Sequence, residues 1–486
     1  MVGALLLVAG CAVGPDFAPP AAPDVTGYTP EALDKPTASA PTLGGEAQRF
    51  NSGQDIPGQW WALYHSDPLN RLIAQALAAN PDLQAAQAAL RQAEETAIAQ
   101  GGAFFPSVDG SFSNARQRMP GAEQGAPKAS SIFTLSSATL SVSYDPDIFG
   151  GTRRAVESAE AAAENQRFQM AATELTLTGN VVTTALAEAS YRAQIAATHE
   201  IIDAESQQLD VVRKQFGLGG ASQADVLAQE STLAQTKASL PTLEKLLAQT
   251  RNRLTVLTGR FPSQEVAERF DLAQLALPQD LPVSLPSQLV RNRPDVRAAE
   301  AALHQASAEV GVATARQFPN FTLSAAWGSA AGGVDSLFGT AATGLWSLSA
   351  GVTQPIFHGG TLEHQRKAAE AGLDMAFAQY RSTVLKAFQD VADSLRALQS
   401  DADALKAQLE AEHSAADSLS LSRSQFGAGA ISYLTLLNAE RTYQTAHIAL
   451  VQAQAARFSD TAALFQALGG GWWNRADAPA DGGNTP

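Results

Sequence analysis

The sequence contains one cysteine, Cys11, and no apolar run long enough to cross a bilayer as a helix. The first scarcity excludes disulfides within the chain and cysteine-built metal sites. The second excludes a polytopic helical membrane protein, in line with a mean hydropathy of −0.09. Positive charge is also short: 33 Lys plus Arg stand against 48 Asp plus Glu, a net charge of −15. That balance argues against a nucleic-acid binder, which needs excess basic residues to neutralise phosphates. Catalytic signatures are missing as well. None of the histidines (His65, His199, His304, His358, His364, His413, His447) shows H-E-x-x-H spacing, and there is no G-x-G-x-x-G, P-loop or G-x-S-x-G. An enzyme, metal or cofactor reading therefore has no positive support. Apolar material is plentiful. With 486 residues, 45% hydrophobic and 17% charged, the chain can bury a substantial core.

The N-terminus carries a compact signal. Met1 to Gly10 reads MVGALLLVAG and Cys11 follows. The apolar part suits the h-region of a secretory signal and is too short to span a bilayer. Val8, Ala9 and Gly10 before the cysteine resemble the lipobox of bacterial lipoproteins, in which the cysteine is lipidated and becomes the mature N-terminus. Residues 1–10 are thus read as a lipoprotein signal peptide and Cys11 as the lipidation site. No Lys or Arg precedes the apolar run, so the true start codon is expected upstream. Ala12, rather than Asp, after the cysteine leans towards the outer membrane.

The rest of the chain is duplicated. Asn80-Pro81-Asp82-Leu83-Gln84-Ala85-Ala86 recurs as Arg293-Pro294-Asp295-Val296-Arg297-Ala298-Ala299. Phe105-Pro106 recurs as Phe318-Pro319, Gly150-Gly151-Thr152 as Gly359-Gly360-Thr361, and Phe216-Gly217-Leu218-Gly219 as Phe426-Gly427-Ala428-Gly429. The order is kept and the offset stays between 209 and 213. The expected organisation is an extended lipidated segment over 11–66, a first repeat over 67–259, a Pro-rich joint over 260–293, a second repeat over 294–470 and a mobile tail over 471–486.

Each repeat predicts a helix after Pro81 or Pro294, two short strands, a very long helix, a glycine-containing tip and a returning helix. Ile195, Ile202, Leu209 and Phe216 recur by sevens, as do Val226, Leu233, Leu240, Leu247 and Leu254. Phe377, Val384, Val391, Leu398, Leu405 and Leu419 do the same, with Glu412 as the exception. Two apolar stripes per heptad make a coiled-coil pattern. Thr152 to Phe216 is 65 residues, roughly 98 Å as one helix. The returning helix is shorter, so it and the opening helix are expected to stack end to end along one long partner. Pro241 is expected to kink or end the returning helix.

The short stretches, about 104–113, 137–145, 318–327 and 345–354, alternate by twos. Ala138, Leu140, Val142 and Tyr144 interleave with Thr139, Ser141, Ser143 and Asp145; Trp346, Leu348, Ala350 and Val352 interleave with Ser347, Ser349, Gly351 and Thr353. A strand apolar on one face and small-polar on the other fits a barrel wall between lipid and water, and fits an ordinary sheet over a core equally. If the strands span a membrane, chains must share a barrel, because open sheet edges are not tolerated in lipid. Two chains give eight strands and three give twelve; only the larger leaves a free lumen.

At this point the motifs resemble a known family. Cys11-Ala12-Val13-Gly14-Pro15-Asp16-Phe17, Trp60-Trp61, Arg293-Pro294-Asp295-Val296-Arg297-Ala298-Ala299-Glu300, Phe426-Gly427-Ala428-Gly429-Ala430-Ile431-Ser432-Tyr433-Leu434 and Ala439-Glu440-Arg441 are similar to stretches of the TolC-like outer-membrane efflux proteins. The closest likeness is to the NodT-type lipoprotein branch of RND tripartite efflux systems. The resemblance implies a mainly α chain with a small transmembrane β part. It implies a homotrimer with one twelve-stranded barrel in outer-membrane lipid and a periplasmic coiled-coil tunnel. It further implies a periplasmic adaptor (membrane fusion) partner, an inner-membrane RND-type transporter, no nucleic acid, no cofactor and a passive exit duct.

The same resemblance places adaptor contacts at the tips, on Gly217, Gly219, Ser222, Gly427, Gly429 and Ser432. It places a periplasmic gate at Leu434, Thr435, Asn438 and Arg441. Some relatives carry aspartate where Thr435 and Asn438 stand. Asp225, the repeat equivalent of Thr435, is expected to supply a carboxylate: Leu434 forms an apolar constriction while Asn438, Arg441 and Asp225 pair across helices to keep it shut. The competing reading is a coiled-coil structural or adaptor-type periplasmic lipoprotein without a channel, which would not need duplicated alternating strands.

Overall fold

The computed structural model describes residues 12–31, 35–120, 130–340 and 342–475. The signal peptide, Cys11 and the tail beyond Arg475 lie outside the described residues. The first repeat contains α1 (Asp67–Ala79), α2 (Pro81–Gly101), β2 (Ser107–Pro120), β3 (Ser130–Tyr144), α3 (Gly151–Gly217) and α4 (Gln223–Leu257). The Pro-rich joint carries α5 (Pro286–Asn292), and the second repeat contains α6 (Pro294–Ala315), β5 (Asn320–Ala331), β6 (Thr343–Thr353), α7 (Thr361–Gly427) and α8 (Tyr433–Ala467). The duplication extends to length: α3 and α7 each have 67 residues, α4 and α8 each 35. Two further short strands, β1 (Arg49–Ser52) and β4 (Asp280–Val283), pair in parallel. At four residues each they show no legible alternation.

Two compact units cut across the repeats. One comprises Met1–Pro20, Ala89–Gln166 and Ala299–Tyr380; the other comprises Ala21–Ala88, Arg167–Ala298 and Arg381–Pro486. The first unit holds a four-stranded antiparallel sheet in the order β2-β3-β5-β6. One hairpin comes from each repeat, and β3 joins β5 at the centre. β2 and β6 are left as open edges. The hairpin of the first repeat runs further than its apolar alternation predicts. Its end carries Arg116, Gln117 and Arg118, whose side chains give no period-two apolar signal, while the main-chain ladder continues to Pro120↔Ser130.

The second unit is built on the heptad seams. Val391, Leu395, Leu398, Leu405 and Leu409 of α7 are buried, as are Leu436, Leu450 and Phe458 of α8. Stacking of returning on opening helices is visible in its hydrogen bonds. Asn80 caps α2, its Oδ1 accepting from the Asp82 and Leu83 amides at 2.9 and 3.1 Å. The same side chain donates through Nδ2 to the Leu257 carbonyl, the end of α4, at 3.0 Å. In the second repeat Arg293, just before α6, donates to the Ala467 carbonyl at the end of α8 at 2.9 Å. Each joint sets the electronegative end of one helix against the amide end of the next. Contrary to expectation, Pro241 does not end a segment: α4 runs through it from Gln223 to Leu257. Pro241 sits on the exposed side, where water can satisfy the carbonyl that loses its donor.

Candidate functional site

The sheet has two chemically different faces. On one, in register, lie Val108, Val142, Ala325 and Leu348, then Leu140, Trp327 and Trp346. The large ones among them are bare: Trp346 is 81% exposed, Leu348 78% and Trp327 71%. The opposite face carries a ladder of hydroxyls. Ser111 bonds Thr139 at 2.6 Å, Ser113 bonds Ser137 at 2.8 Å and Ser324 bonds Ser349 at 2.7 Å. A soluble sheet buries its apolar face, whereas this one presents it outward and keeps its hydroxyls on the other side. That is the pattern of a barrel wall with lipid outside and water inside.

The chain that follows Cys11 is fastened beside this sheet. Ala12 packs against Gly150, where a Cβ would stand 2.6 Å from the Ala12 Cα. The Val13 amide donates to the Phe149 carbonyl at 3.1 Å. Arg154 donates to the Val13 carbonyl and to Asp16, and Phe17 stacks on His304 at 4.3 Å.

The helix-hairpin ends repeat one another closely. Gly219 and Gly429 adopt φ of +79° and +72°. The Gly220 amide donates to the Gln215 carbonyl, and the Ala430 amide to the Gln425 carbonyl. Gly219 donates likewise to Phe216, and Gly429 to Phe426. Each is a Schellman cap with its left-handed residue at the second glycine. Gly217 and Gly427 have no positive φ, and an added Cβ there would meet nothing within 4 Å. Ser222 caps α4 and Ser432 caps α8, accepting from the Asp225 and Thr435 amides.

The structure separates the gate residues that the sequence reading paired. Asp225 returns to its own cap, accepting from the Ser222 amide at 2.8 Å and Oγ at 2.7 Å. Arg441 does reach across helices, but it donates to Thr232 Oγ1 of α4 at 3.0 Å. Leu434 is 63% exposed, and Thr435 and Asn438 are exposed on the same side of α8.

A cluster that sequence reasoning missed lies on the other side of α8. Glu440 is 3% exposed and Glu205 of α3 2%. Glu205 Oε1 accepts from Thr236 at 3.0 Å and from Gln444. Glu205 Oε2 and both Glu440 oxygens have no hydrogen-bond partner. The nearest cation to Glu440 is Arg423 of α7, at 3.9 Å. His447 lies 3.3 Å from Glu412 and 4.0 Å from Glu200. Burial raises the carboxyl of Glu205 above its ordinary value. Burial pushes that of Glu440 up to about 7, against the pull of Arg423 and with help from the charge of Glu205. A signal was present: Glu205 falls on the heptad stripe Thr198-Glu205-Val212, and Glu440 on Tyr433-Glu440-His447. A carboxylate on a seam is the clue.

Comparison with known proteins fits this geometry. The family model described as outer membrane efflux protein matches residues 72–260 and 285–470, one stretch per repeat. The pyoverdine export outer membrane protein OpmQ of Pseudomonas aeruginosa is 33% identical over 453 residues, covering 92% of this chain and 94% of that protein. The toluene efflux pump outer membrane protein TtgC of Pseudomonas putida is 29% identical, covering 96% and 94%. Among solved structures, the outer-membrane channel OprN superimposes with a TM-score of 0.84 at 26% identity, over 95% of this chain and all of that one. VceC of Vibrio cholerae superimposes with a TM-score of 0.79 at 26% identity, over 86% and all of that chain. These matches favour the channel over a structural or adaptor-type lipoprotein. The chain belongs to the outer membrane efflux protein family: it is an efflux-pump exit channel of the Gram-negative outer membrane, extending into the periplasm, and not an enzyme.

Proposed function

We propose that three copies of this chain close one twelve-stranded barrel and one helical tunnel, through which cargo passes without being bound or altered. The observation that carries this is the four-stranded sheet with an outward apolar face, an opposed hydroxyl face and open edges at β2 and β6. Lipid does not tolerate unpaired edges, so neighbouring copies must pair them. Cys11 is the lipid anchor. Its neighbour Ala12 packs against Gly150, six residues beyond the end of β3, which sets an acyl chain at the barrel's periplasmic rim. The proposed domain limits are those given above, with 11–66 as the lipidated strap.

The two Schellman-capped tips meet a periplasmic adaptor that joins the duct to an inner-membrane transporter of the RND class. Gly217 and Gly427 are the contact positions best supported, because their conformation does not require glycine. Gly219, Gly429, Ser222 and Ser432 hold the turn that presents them. Leu434, Thr435 and Asn438 line the closing ring, and the Arg441–Thr232 bond holds α8 against α4 while the ring is shut. Asp225 contributes through the cap of α4. Relatives named for pyoverdine and for toluene both match this chain over more than nine-tenths of its length, which argues that cargo is chosen by the transporter.

The test is conductance. Purified chain reconstituted in a planar bilayer should give small channels, and Arg441→Ala should enlarge or lengthen their openings. Absence of any channel from heat-resistant oligomer would refute the duct. Unchanged openings in the variant would remove Arg441 from the gate.

A further inference from the structure

The cavity beside Glu440 has a volume of about 400 Å³ and lies among α3, α7 and α8 near the tips. Its walls are apolar at Ile201, Leu419 and Tyr443 and acidic at Glu200, Glu205 and Glu440. Its charged and titratable lining is Glu200 and Glu205 from α3, Arg423 from α7, and Glu440, Tyr443 and His447 from α8. Outside the lining, Lys237 of α4 and Arg441 of α8 act on Glu205, and Glu412 of α7 lies against His447. Among the described residues one cation, Arg423, approaches Glu440, and at 3.9 Å it makes no hydrogen bond to it. A buried carboxylate with both oxygens unpartnered demands a compensating positive charge. No group of three or more ligating side chains suited to a metal ion occurs among the described residues. The charge is supplied more simply, by a proton.

We infer that Glu440 is a proton-binding site, with Glu205 facing the same cavity, and that the bound proton favours the packed arrangement of α3, α7 and α8 in which the periplasmic entrance is shut. The inference rests on the duct reading above. Glu440 directly precedes Arg441, so a movement of α8 that breaks the Arg441–Thr232 bond also brings Glu440 towards water. In the shut arrangement burial favours the neutral acid; in the open one, solvated, it ionises and releases its proton. Below the ordinary carboxylate range both arrangements hold the proton and the bias is complete. Between that range and about pH 7 only the shut arrangement holds it. Above pH 7 neither does, and the bias is gone. Acid therefore seals the entrance and rising pH releases it, each released proton contributing at most a tenfold change in the open-to-shut ratio per pH unit.

The experiment compares wild type, Glu440→Gln and His447→Gln as reconstituted oligomers between pH 5.5 and 8.5. Open probability of the wild type should rise with pH. Glu440→Gln, isosteric and unable to ionise, should stay shut with a flat profile. His447→Gln is the control, because imidazoles as a class titrate in this window; it should keep the wild-type slope. In parallel, the thermal midpoint of wild type relative to Glu440→Gln should fall as pH rises. A flat wild-type profile, the same slope in Glu440→Gln, loss of slope in His447→Gln, or a midpoint difference that ignores pH would each overturn the inference. Oligomers that conduct at no pH would refute the duct, while the midpoint difference still reads the proton site by itself.

Discussion

Gly427 and Gly429 stand two residues apart, and the backbone treats them differently. Gly429 holds φ at +72°, and its amide closes the Schellman cap on Phe426. A Cβ there costs about 1–2 kcal/mol. Gly427 is the last residue of α7 with ordinary helical backbone and open space around it, so alanine there should be neutral or stabilising by up to about 1 kcal/mol. Gly429→Ala should accordingly lower the unfolding midpoint of the solubilised oligomer, and Gly427→Ala should not. In an adaptor-binding assay the order should reverse for bulky residues, with Gly427→Leu weakening binding at unchanged stability. Equal destabilisation by the two alanines would mean that both glycines serve only the turn. Glu440 illustrates a different kind of residue. Its type was plain from the sequence, but its isolation from partners depends on two other helices, α3 and α7, and could not be read from its own neighbours.

Individual elements were legible where a side-chain period reports them. The heptads of α3, α4 and α7 and the alternation of β5 and β6 name their own buried or outward faces. The polar end of the first hairpin was not legible, because main-chain bonds carry the Arg116↔Thr134 and Arg118↔Ile132 pairs whatever the side chains are. Asp225 and Arg441 do not meet within the chain for a related reason: the repeat alignment located Asp225 and the family resemblance Arg441, but a capping box satisfies Asp225 within three residues of itself. Which way the sheet faces is the element-scale question that a substitution can decide. Leu348 and Ser349 are adjacent in β6, so they point to opposite faces. Leu348→Arg should cost about 2–4 kcal/mol if that side meets the bilayer core, whereas a lumen-facing Ser349→Arg should insert normally and alter only ion selectivity. Yield of heat-resistant oligomer in the outer membrane reads the difference. Comparable yields for the two would deny the assigned faces.

For the whole molecule, the sheet sets a counting problem. Each chain brings four strands with free edges at β2 and β6, and large apolar side chains that none of the described residues covers. A single copy leaves both edges in lipid, where each unpaired main-chain group costs several kcal/mol. Two copies would close eight strands, but an eight-stranded barrel is filled by its own inward side chains. Twelve strands leave an aqueous lumen, and the inward face here, Ser111, Ser113, Ser137, Thr139, Ser324 and Ser349, is small and hydroxylated as a wet lumen requires. With a chain mass of 50.8 kDa, chemical cross-linking in detergent should therefore stop at about 150 kDa, three chains, and not at about 100 kDa. The closed ring also predicts that the edges cannot be spared. Removing residues 343–353 takes away β6, so β5 becomes an edge of a three-stranded sheet. That variant should retain most of its helical circular dichroism yet form no heat-resistant trimer and no conductance. A trimer that survives the loss of β6 would mean that the helices alone hold the assembly, and the shared barrel would then have no part in it.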